Sequence, residues 1–531
     1  MPTRCGPARP LAKESSQSVT NGTQNSWQGH AYGVLFLRGA GAVFAASPRK
    51  AWARAHDGMR AQGLAAVLRE KNTMENKLDK LFHLTERGTS VKTEVLAGLT
   101  TFVTAAYVLA VNPSVMSATG MDSGAVFTAT ALVCFLGTLA MAVLTNYPFV
   151  LIPSMGLNAY FAYTVVLGMG YTWEVALAAI FVEGVAFAII SLTSLREKIF
   201  SAIPINLKYA ISTGIGLFIT IIGLKNSGLV VSSPATLVSV FSFSGSIANG
   251  TFNTAGISVV LFCAGLLITG VLMARNVKGN ILVGILITWV LGIICELMGL
   301  YVPDPAAGYA SLLPDFSHGL AVPSLAPTLM KMDFSQVADL GFIVVAFAFL
   351  LTSLFDTVGS LIGLGAKAEL LDEDGNMPGV GRAMGAESIA TMIAGALGNS
   401  ATCCSVECAA GIAEGGRTGL MALTTGVLFL LSMFLSPIFL AIPAFATAPA
   451  LVIVGSLMAS SVLNIDFGDM TESIPAFLCF VGMPFCYSIV EGISLGIISY
   501  VVINLLSGNA KKISPMMYAL AIVFIVKYAL I

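Results

Sequence analysis

The chain has 531 residues, of which 56% are hydrophobic and 10% charged, with a mean hydropathy of +0.86 and a formal net charge of −1. Soluble domains are about a quarter charged, so a soluble globular fold is excluded, and the near-neutral charge gives a nucleic-acid partner nothing to bind. Apolar stretches approaching the ~20 residues needed to cross a bilayer recur more than a dozen times, which makes this an integral, all-α polytopic membrane protein.

Residues 1–73 stand apart: they are rich in Arg, Ala, Gly, Ser and Gln and hold only the short apolar piece Tyr32–Ala46. They read as a disordered extension or as an upstream region translated from a misplaced start. A targeting peptide is the alternative, because Arg is frequent and acids are few. Met74-Glu-Asn-Lys-Leu-Asp-Lys-Leu-Phe82 reads as an amphipathic beginning, so 74–93 is expected to be a cytoplasmic lead-in.

The transporter bundle is expected over 94–507, with fourteen spans near 94–112, 123–145, 155–169, 173–194, 207–225, 255–274, 280–300, 337–363, 384–398, 402–413, 419–440, 447–463, 473–488 and 490–507. The remaining segment, 508–531, holds an apolar stretch (Ile513–Ile531) that is long enough to span but could equally lie on the surface or against the bundle. Basic residues set orientation. Lys77, Lys80, Arg87 and Lys92 precede the first span, and Arg196, Lys198, Lys208, Arg275, Lys278, Lys367, Arg382, Lys511 and Lys512 fall in loops on the same side if the count is fourteen. The N-terminus is therefore expected to be cytoplasmic.

Two halves of seven spans invite comparison, since an odd number inverts the second copy. The third span opens with Pro153-Ser-Met-Gly-Leu-Asn158 and the tenth with Gly398-Asn-Ser-Ala-Thr-Cys-Cys-Ser-Val-Glu407; both are short and polar at their start. The offset from Asn158 to Glu407 is 249 (407 − 158), and the same offset relates Tyr107 in the first span to Asp356 in the eighth.

Three polar residues lie in these apolar surroundings. Asn158 follows Gly156, which lets the backbone approach a ligand closely, and its amide offers a donor and an acceptor to the edge of a heterocycle. The competing reading is a helix start in which Ser154 caps and Asn158 only packs. Asp356 is a lone acid with at least seven uncharged residues on either side. Such a group faces the protein interior or a wet cavity, and desolvation favours its neutral form, so that proton binding and release can both occur near neutrality. Bonding to Thr352, Ser353, Thr357 or Ser360 on its own helix is the structural alternative. Glu407 comes just after an expected helix start near Ser405, where free N–H groups favour an anionic or accepting ligand atom; a first-turn acid complementing the helix dipole is the alternative. Asp356 and Glu407 are thus candidates for both substrate binding and proton coupling, and Asn158, Gly156 and Ser405 for substrate binding. Glu183, Glu296 and Glu491 read as packing or interfacial acids, and Glu387 as a lining group of a cytoplasmic pathway. The adjacent Cys403 and Cys404 read as small helix-packing residues rather than a disulfide or zinc site.

At these residues the sequence resembles the AzgA-like purine permeases of the nucleobase:cation symporter 2 (nucleobase–ascorbate transporter) superfamily, from about Met74 to the C-terminus. The likeness rests on Ala118-Thr-Gly-Met-Asp122 with Val126-Phe-Thr-Ala-Thr130, Met155-Gly-Leu-Asn-Ala159, Leu354-Phe-Asp-Thr-Val-Gly-Ser-Leu-Ile-Gly363, and Val406-Glu407 leading into Ala410-Gly-Ile-Ala-Glu-Gly-Gly-Arg-Thr-Gly419. The resemblance implies fourteen spans in two inverted repeats, with a core of spans 1–4 and 8–11 (94–194 and 337–440) and a gate of spans 5–7 and 12–14 (207–300 and 447–507). It further implies short strands leading into spans 3 and 10, and symport of adenine, guanine or hypoxanthine with a proton across the cell membrane. Asn158, Asp356 and Glu407 fall on family positions tied to substrate binding or proton coupling. The run Asn399–Ser405 departs from the family pattern, with Ser405 where a Tyr usually precedes Val-Glu and Cys408 for Ser. No metal or organic cofactor is required, and the oligomeric state, a homodimer included, is left open. A channel or anion exchanger on the same architecture is the rival reading; it would call for a basic group at the site. An intramembrane enzyme finds no support, since His30, His56, His83 and His318 lie in the extension or in loops.

Overall fold

The computed structural model describes residues 76–193, 203–233, 236–304, 309–315, 319–370 and 377–530. The expectation of a disordered or spurious extension over 1–73 lies outside them. The described chain is mostly helical. A short helix α1 (76–82) leads into α2 (Val91–Ala105) and α3 (Val108–Met116), which together form the first long apolar segment, broken at Ala106–Tyr107. Next come α4 (Ser123–Thr145), strand β1 (Leu151–Pro153), the short α5 (Met155–Ala159) running on into a π-helical segment Tyr160–Val166, then α6 (Trp173–Leu192) and α7 (Ile205–Asn226). A hairpin of β2 (Val230–Ser233) and β3 (Leu237–Val240) precedes α8 (Phe243–Ala248), α9 (Ile257–Ala274) and α10 (Asn280–Leu297).

The second half repeats the broken pattern. It contains α11 (Leu340–Lys367), α12 (Val380–Leu397), strand β4 (Thr402–Cys404), the short α13 (Cys408–Ala413), α14 (Gly419–Leu431), α15 (Ser436–Leu440), α16 (Ala444–Ala459), α17 (Met470–Phe485), α18 (Ile489–Leu506) and α19 (Pro515–Leu530). Among the described residues, nine helical stretches are long and apolar enough to cross a membrane, and three shorter apolar helices accompany them. The third and tenth expected segments do not reach that length because each spends its first residues as an extended strand. Large apolar side chains such as Val143, Ile189, Leu267 and Phe485 point outward, exposed. Hydrocarbon covers such faces at no cost, whereas water would not.

Packing separates the helices into two groups. One joins α2, α4, α6, α11, α12, α13 and α14; the other joins α7, α9, α10, α16, α17 and α18. The C-terminal α19 lies against α18, burying Met517 and Phe524, while its Tyr528 hydroxyl reaches Ser494 Oγ at 2.6 Å. Just before it, Lys512 Nζ lies 3.3 Å from Asp469. Bonds from the Thr471 hydroxyl and N–H, together with Lys512, hold the exposed Asp469 carboxyl below its usual range.

A buried acid pins the first group together. Glu94, in the first turn of α2, is fully buried; its carboxylate accepts from Arg417 N (2.8 Å), Thr418 N (3.3 Å), Thr418 Oγ1 (2.8 Å) and Met421 N (3.0 Å). Three of these donors are backbone N–H groups at or just before the start of α14, where helices leave such groups short of partners, so Glu94 caps a helix more than 300 residues away in sequence and complements its dipole. Replacing Glu94 with alanine strands several buried donors. The expected loss is ~3 kcal/mol or more of stability, read as a lowered unfolding midpoint of the purified protein in detergent; an unchanged midpoint would refute the assignment.

Candidate functional site

The site is built on β1 and β4, which pair antiparallel with Leu151 opposite Cys404, Ile152 opposite Cys403 and Pro153 opposite Thr402. All six residues are buried, and each strand supplies the other's backbone partners, as buried polar backbone requires. The ladder extends by one bond at either end: Ser154 N donates to Ala401 O (3.0 Å) and Ser405 N to Val150 O (2.9 Å). Gly398 makes the approach to β4 possible. It ends α12 with φ +90°, a conformation that only glycine adopts freely, and a Cβ there would run into Thr328. Cys403 and Cys404 are therefore strand residues, not the helix-packing residues expected from sequence.

Each strand hands its chain to a serine at the ladder's end, and each serine holds one of the expected carboxylates. Ser154 Oγ donates to Asp356 Oδ2 at 2.9 Å, reaching from β1 across to α11. Ser405 Oγ donates to Glu407 Oε2 at 2.5 Å, and the Tyr107 hydroxyl, at the break between α2 and α3, donates to Glu407 Oε1 at 2.9 Å. Both carboxylates are partly buried and close enough to interact electrostatically. Among the described residues no lysine, arginine or histidine pairs with either. The two contacts mirror one another between the halves of the chain: the first segment touches the tenth through Tyr107–Glu407, and the eighth touches the third through Asp356–Ser154.

Several expectations about neighbours turn out differently. The hydroxyls on α11 do not bond the Asp356 carboxylate; Thr357 donates instead to Glu387, Ser360 to the Asp356 and Thr357 carbonyls, and Thr352 and Ser353 make no hydrogen bond. The Asp356 side chain leaves its own helix and is met from β1. Ser154 occupies the position before α5 but caps nothing, its hydroxyl being committed to Asp356. The helix after β4 starts at Cys408 rather than near Ser405, with Glu407 at its cap position. The N–H groups of Cys408, Ala409 and Ala410 already bond the carbonyls of Ser405, Val406 and Glu407 in tight turns, so this helix start offers a ligand fewer donors than a bare one would.

Asn158 lies behind the ladder, fully buried, in a network that spans four segments. Its Nδ2 donates to Asn112 Oδ1 at 2.6 Å and its Oδ1 accepts from Ser400 Oγ. Asn112 Nδ2 in turn reaches Thr130 Oγ1 (2.7 Å) and Asn399 Oδ1 (2.9 Å), and Asn399 Nδ2 donates to Thr130 Oγ1 (3.0 Å). A saturated buried network of this kind rigidifies what it joins, here α3, α4, α5 and the lead-in to β4. Gly156 faces α7, where a Cβ would meet Ile215 Cγ2 at 2.7 Å. The close approach its missing side chain permits is thus between the two helix groups. Sequence reading passed over Asn112, gave Ser154 only a capping role and met Thr130 only within a motif; its one pointer to Tyr107 was the 249-residue offset.

Long apolar helices and two broken segments joined by a strand ladder are the build of a membrane transporter, and the family match identifies the chain as a permease rather than an enzyme. The chain belongs to the Xan_ur_permease family, described as the permease family, whose profile matches residues 92–524; the resemblance to the AzgA-like permeases stands on this match. It is 41% identical over 451 residues to the guanine/hypoxanthine permease PbuO of Bacillus subtilis, covering 84% of this chain and 99% of that one. To the adenine permease AdeP of Escherichia coli it is 38% identical over 457 residues, covering 86% and 97%. In fold it is similar to the transmembrane domain of the cyanobacterial bicarbonate transporter BicA, with a TM-score of 0.52 at 16% identity, covering 76% of this chain and 97% of that one.

Proposed function

We propose that the protein imports purine nucleobases together with protons across the cell membrane by alternating access, with its N-terminus in the cytoplasm. The observation that carries this reading is the placement of Asp356 and Glu407 at the two ends of the β1–β4 ladder, each held by a strand-end serine. A purine presents ring N–H donors next to acceptors. Glu407, already aligned by Tyr107 and Ser405, takes the N–H edge, and the Ser405 hydroxyl completes the contact. Gly156 contributes to the substrate site by letting α5 seat closely against Ile215 of α7, and Asn158 acts from behind by fixing the strand entry that forms the floor. Protonation of Asp356 removes a charge that would be costly to carry through the apolar interface. The relatives named as adenine and guanine/hypoxanthine permeases support a purine as cargo.

Fourteen segments in two inverted repeats accommodate the nine long helices and the short broken ones. The two packing groups then correspond to a core (94–194 and 337–440) that moves against a gate (207–300 and 447–507), and the mirrored Tyr107–Glu407 and Asp356–Ser154 contacts support that symmetry. The acidic site disfavours an anion exchanger. Uptake of labelled hypoxanthine into cells lacking their own permeases, competed by adenine, guanine, xanthine and uracil at two pH values, tests the reading. Saturable uptake that is faster at the lower pH and competed by purines is expected; uptake indifferent to pH, or competed only by uracil, would overturn it.

A further inference from the structure

Two more carboxyls lie deeper in the same helix group and are not used in the cycle outlined above. Glu183 in α6 and Glu387 in α12 are both 0% exposed. Helix α6 packs against α11 and α12, and both of these pack on β4. Glu387 Oε1 accepts the Thr357 hydroxyl of α11, but its Oε2 has no hydrogen-bond partner. Neither oxygen of Glu183 has one. The Ser353 hydroxyl of α11 faces Glu183 without closing a bond of normal geometry, and it too is fully buried and unpartnered.

Ser353, Asp356 and Thr357 stand at i, i+3 and i+4, on one side of α11. Ser353 lies by Glu183, Thr357 bonds Glu387, and Glu387 has both Glu183 and Asp356 as charged neighbours. The titratable groups facing this cluster are Glu183 from α6, Glu387 from α12, Asp356 from α11, and Cys403 and Cys404 from β4, with Glu407 beyond. Among the described residues no cation faces it.

A buried carboxylate with free oxygens and no counter-charge costs several kcal/mol, and two such anions side by side cost more. An unpartnered carboxyl, an unpartnered hydroxyl aimed at it and the absence of any cation together call for a ligand that neutralises charge in very little space. A proton meets that need. We propose that Glu183 and Glu387 form a second proton-binding site, in electrostatic contact with Asp356, that is loaded and unloaded during transport. When Asp356 gives up its proton and becomes an anion, the neighbouring Glu387 keeps its own, and when Asp356 is reprotonated Glu387 is free to release. Each event moves one proton between a carboxyl and water, with no other bond made or broken. The inference rests on the proton-coupled reading above.

The test uses the full chain in proteoliposomes, with Glu183→Gln and Glu387→Gln as variants that mimic a permanently protonated acid. Three quantities are compared: purine exchange without a gradient, purine accumulation driven by a pH gradient, and the infrared band of protonated carboxyls. Exchange is expected to stay within about twofold of the unmodified protein, while accumulation falls at least tenfold for Glu387→Gln and its pH profile flattens. The protonated-carboxyl band is expected to lose intensity in both variants. Accumulation and pH profile unchanged in both, or an unchanged band in both, would overturn the inference. Should the glutamine variants lose exchange as well, Glu183→Asp and Glu387→Asp decide: titratable aspartate restoring gradient-driven accumulation supports the site, and failure to restore it refutes it. If the unmodified protein neither exchanges nor accumulates purine, the transport reading fails instead, and the band still reports separately on the two buried acids.

Discussion

Replacing Glu407 with glutamine is expected to weaken hypoxanthine binding by roughly 10- to 150-fold. A hydrogen bond to a charged group contributes ~1.5–3 kcal/mol, and ~1.4 kcal/mol is a factor of ten in affinity. In this site the carboxylate already accepts from Tyr107 and Ser405. Glutamine retains a single acceptor oxygen for these two donors, and its NH2 group confronts the substrate's N–H edge with another donor. Binding measured calorimetrically on the purified protein checks this, and an affinity within threefold of the original would remove Glu407 from the substrate contact. Tyr107→Phe deletes one neutral donor and leaves the charge in place, so its loss should be about tenfold or less. The order of the two effects is part of the expectation.

Changing Asp356 to asparagine should separate binding from energy coupling. A gradient of one pH unit corresponds to ~1.36 kcal/mol, or tenfold accumulation for each coupled proton. Asparagine fills nearly the same volume and can still accept from Ser154 Oγ, but it cannot change charge. Facilitated equilibration of purine is expected to persist, while the accumulation ratio falls from about tenfold per pH unit to one. An asparagine variant that still concentrates purine against its gradient would show that coupling resides elsewhere, with Glu387 the next group to examine.

The local features of this fold were legible because they depend on local sequence. Long apolar runs marked the helices to within a few residues, as Ser123–Thr145 illustrates, and the polar, glycine-containing starts at Pro153 and Gly398 marked where helix gives way to strand. Partnerships across the chain were not legible. Nothing in the sequence around Glu94 indicates that its carboxylate caps α14, because its donors lie beyond Gly416. The Asn112–Thr130–Asn158–Asn399 network joins four segments whose proximity is a property of the fold alone. Asp356 stands among four hydroxyls that helical spacing puts within reach, yet the group that bonds its carboxylate is Ser154, more than 200 residues distant. The β2–β3 hairpin was also passed over, since its short Val/Ser alternation resembles an ordinary polar loop.

The central ladder also bears on biosynthesis. Leu151 is paired with Cys404, so its partner is made 253 residues later (404 − 151). At ~5–20 residues per second of synthesis, the earlier strand waits roughly 10–50 seconds with its peptide groups unmatched inside the membrane, where they need a temporary shelter such as a chaperone or the insertion machinery. Neither half of the polypeptide can complete its own interior. Co-expressing two fragments divided in the loop before α11 should restore a working molecule, whereas either fragment produced alone should be cleared by quality control.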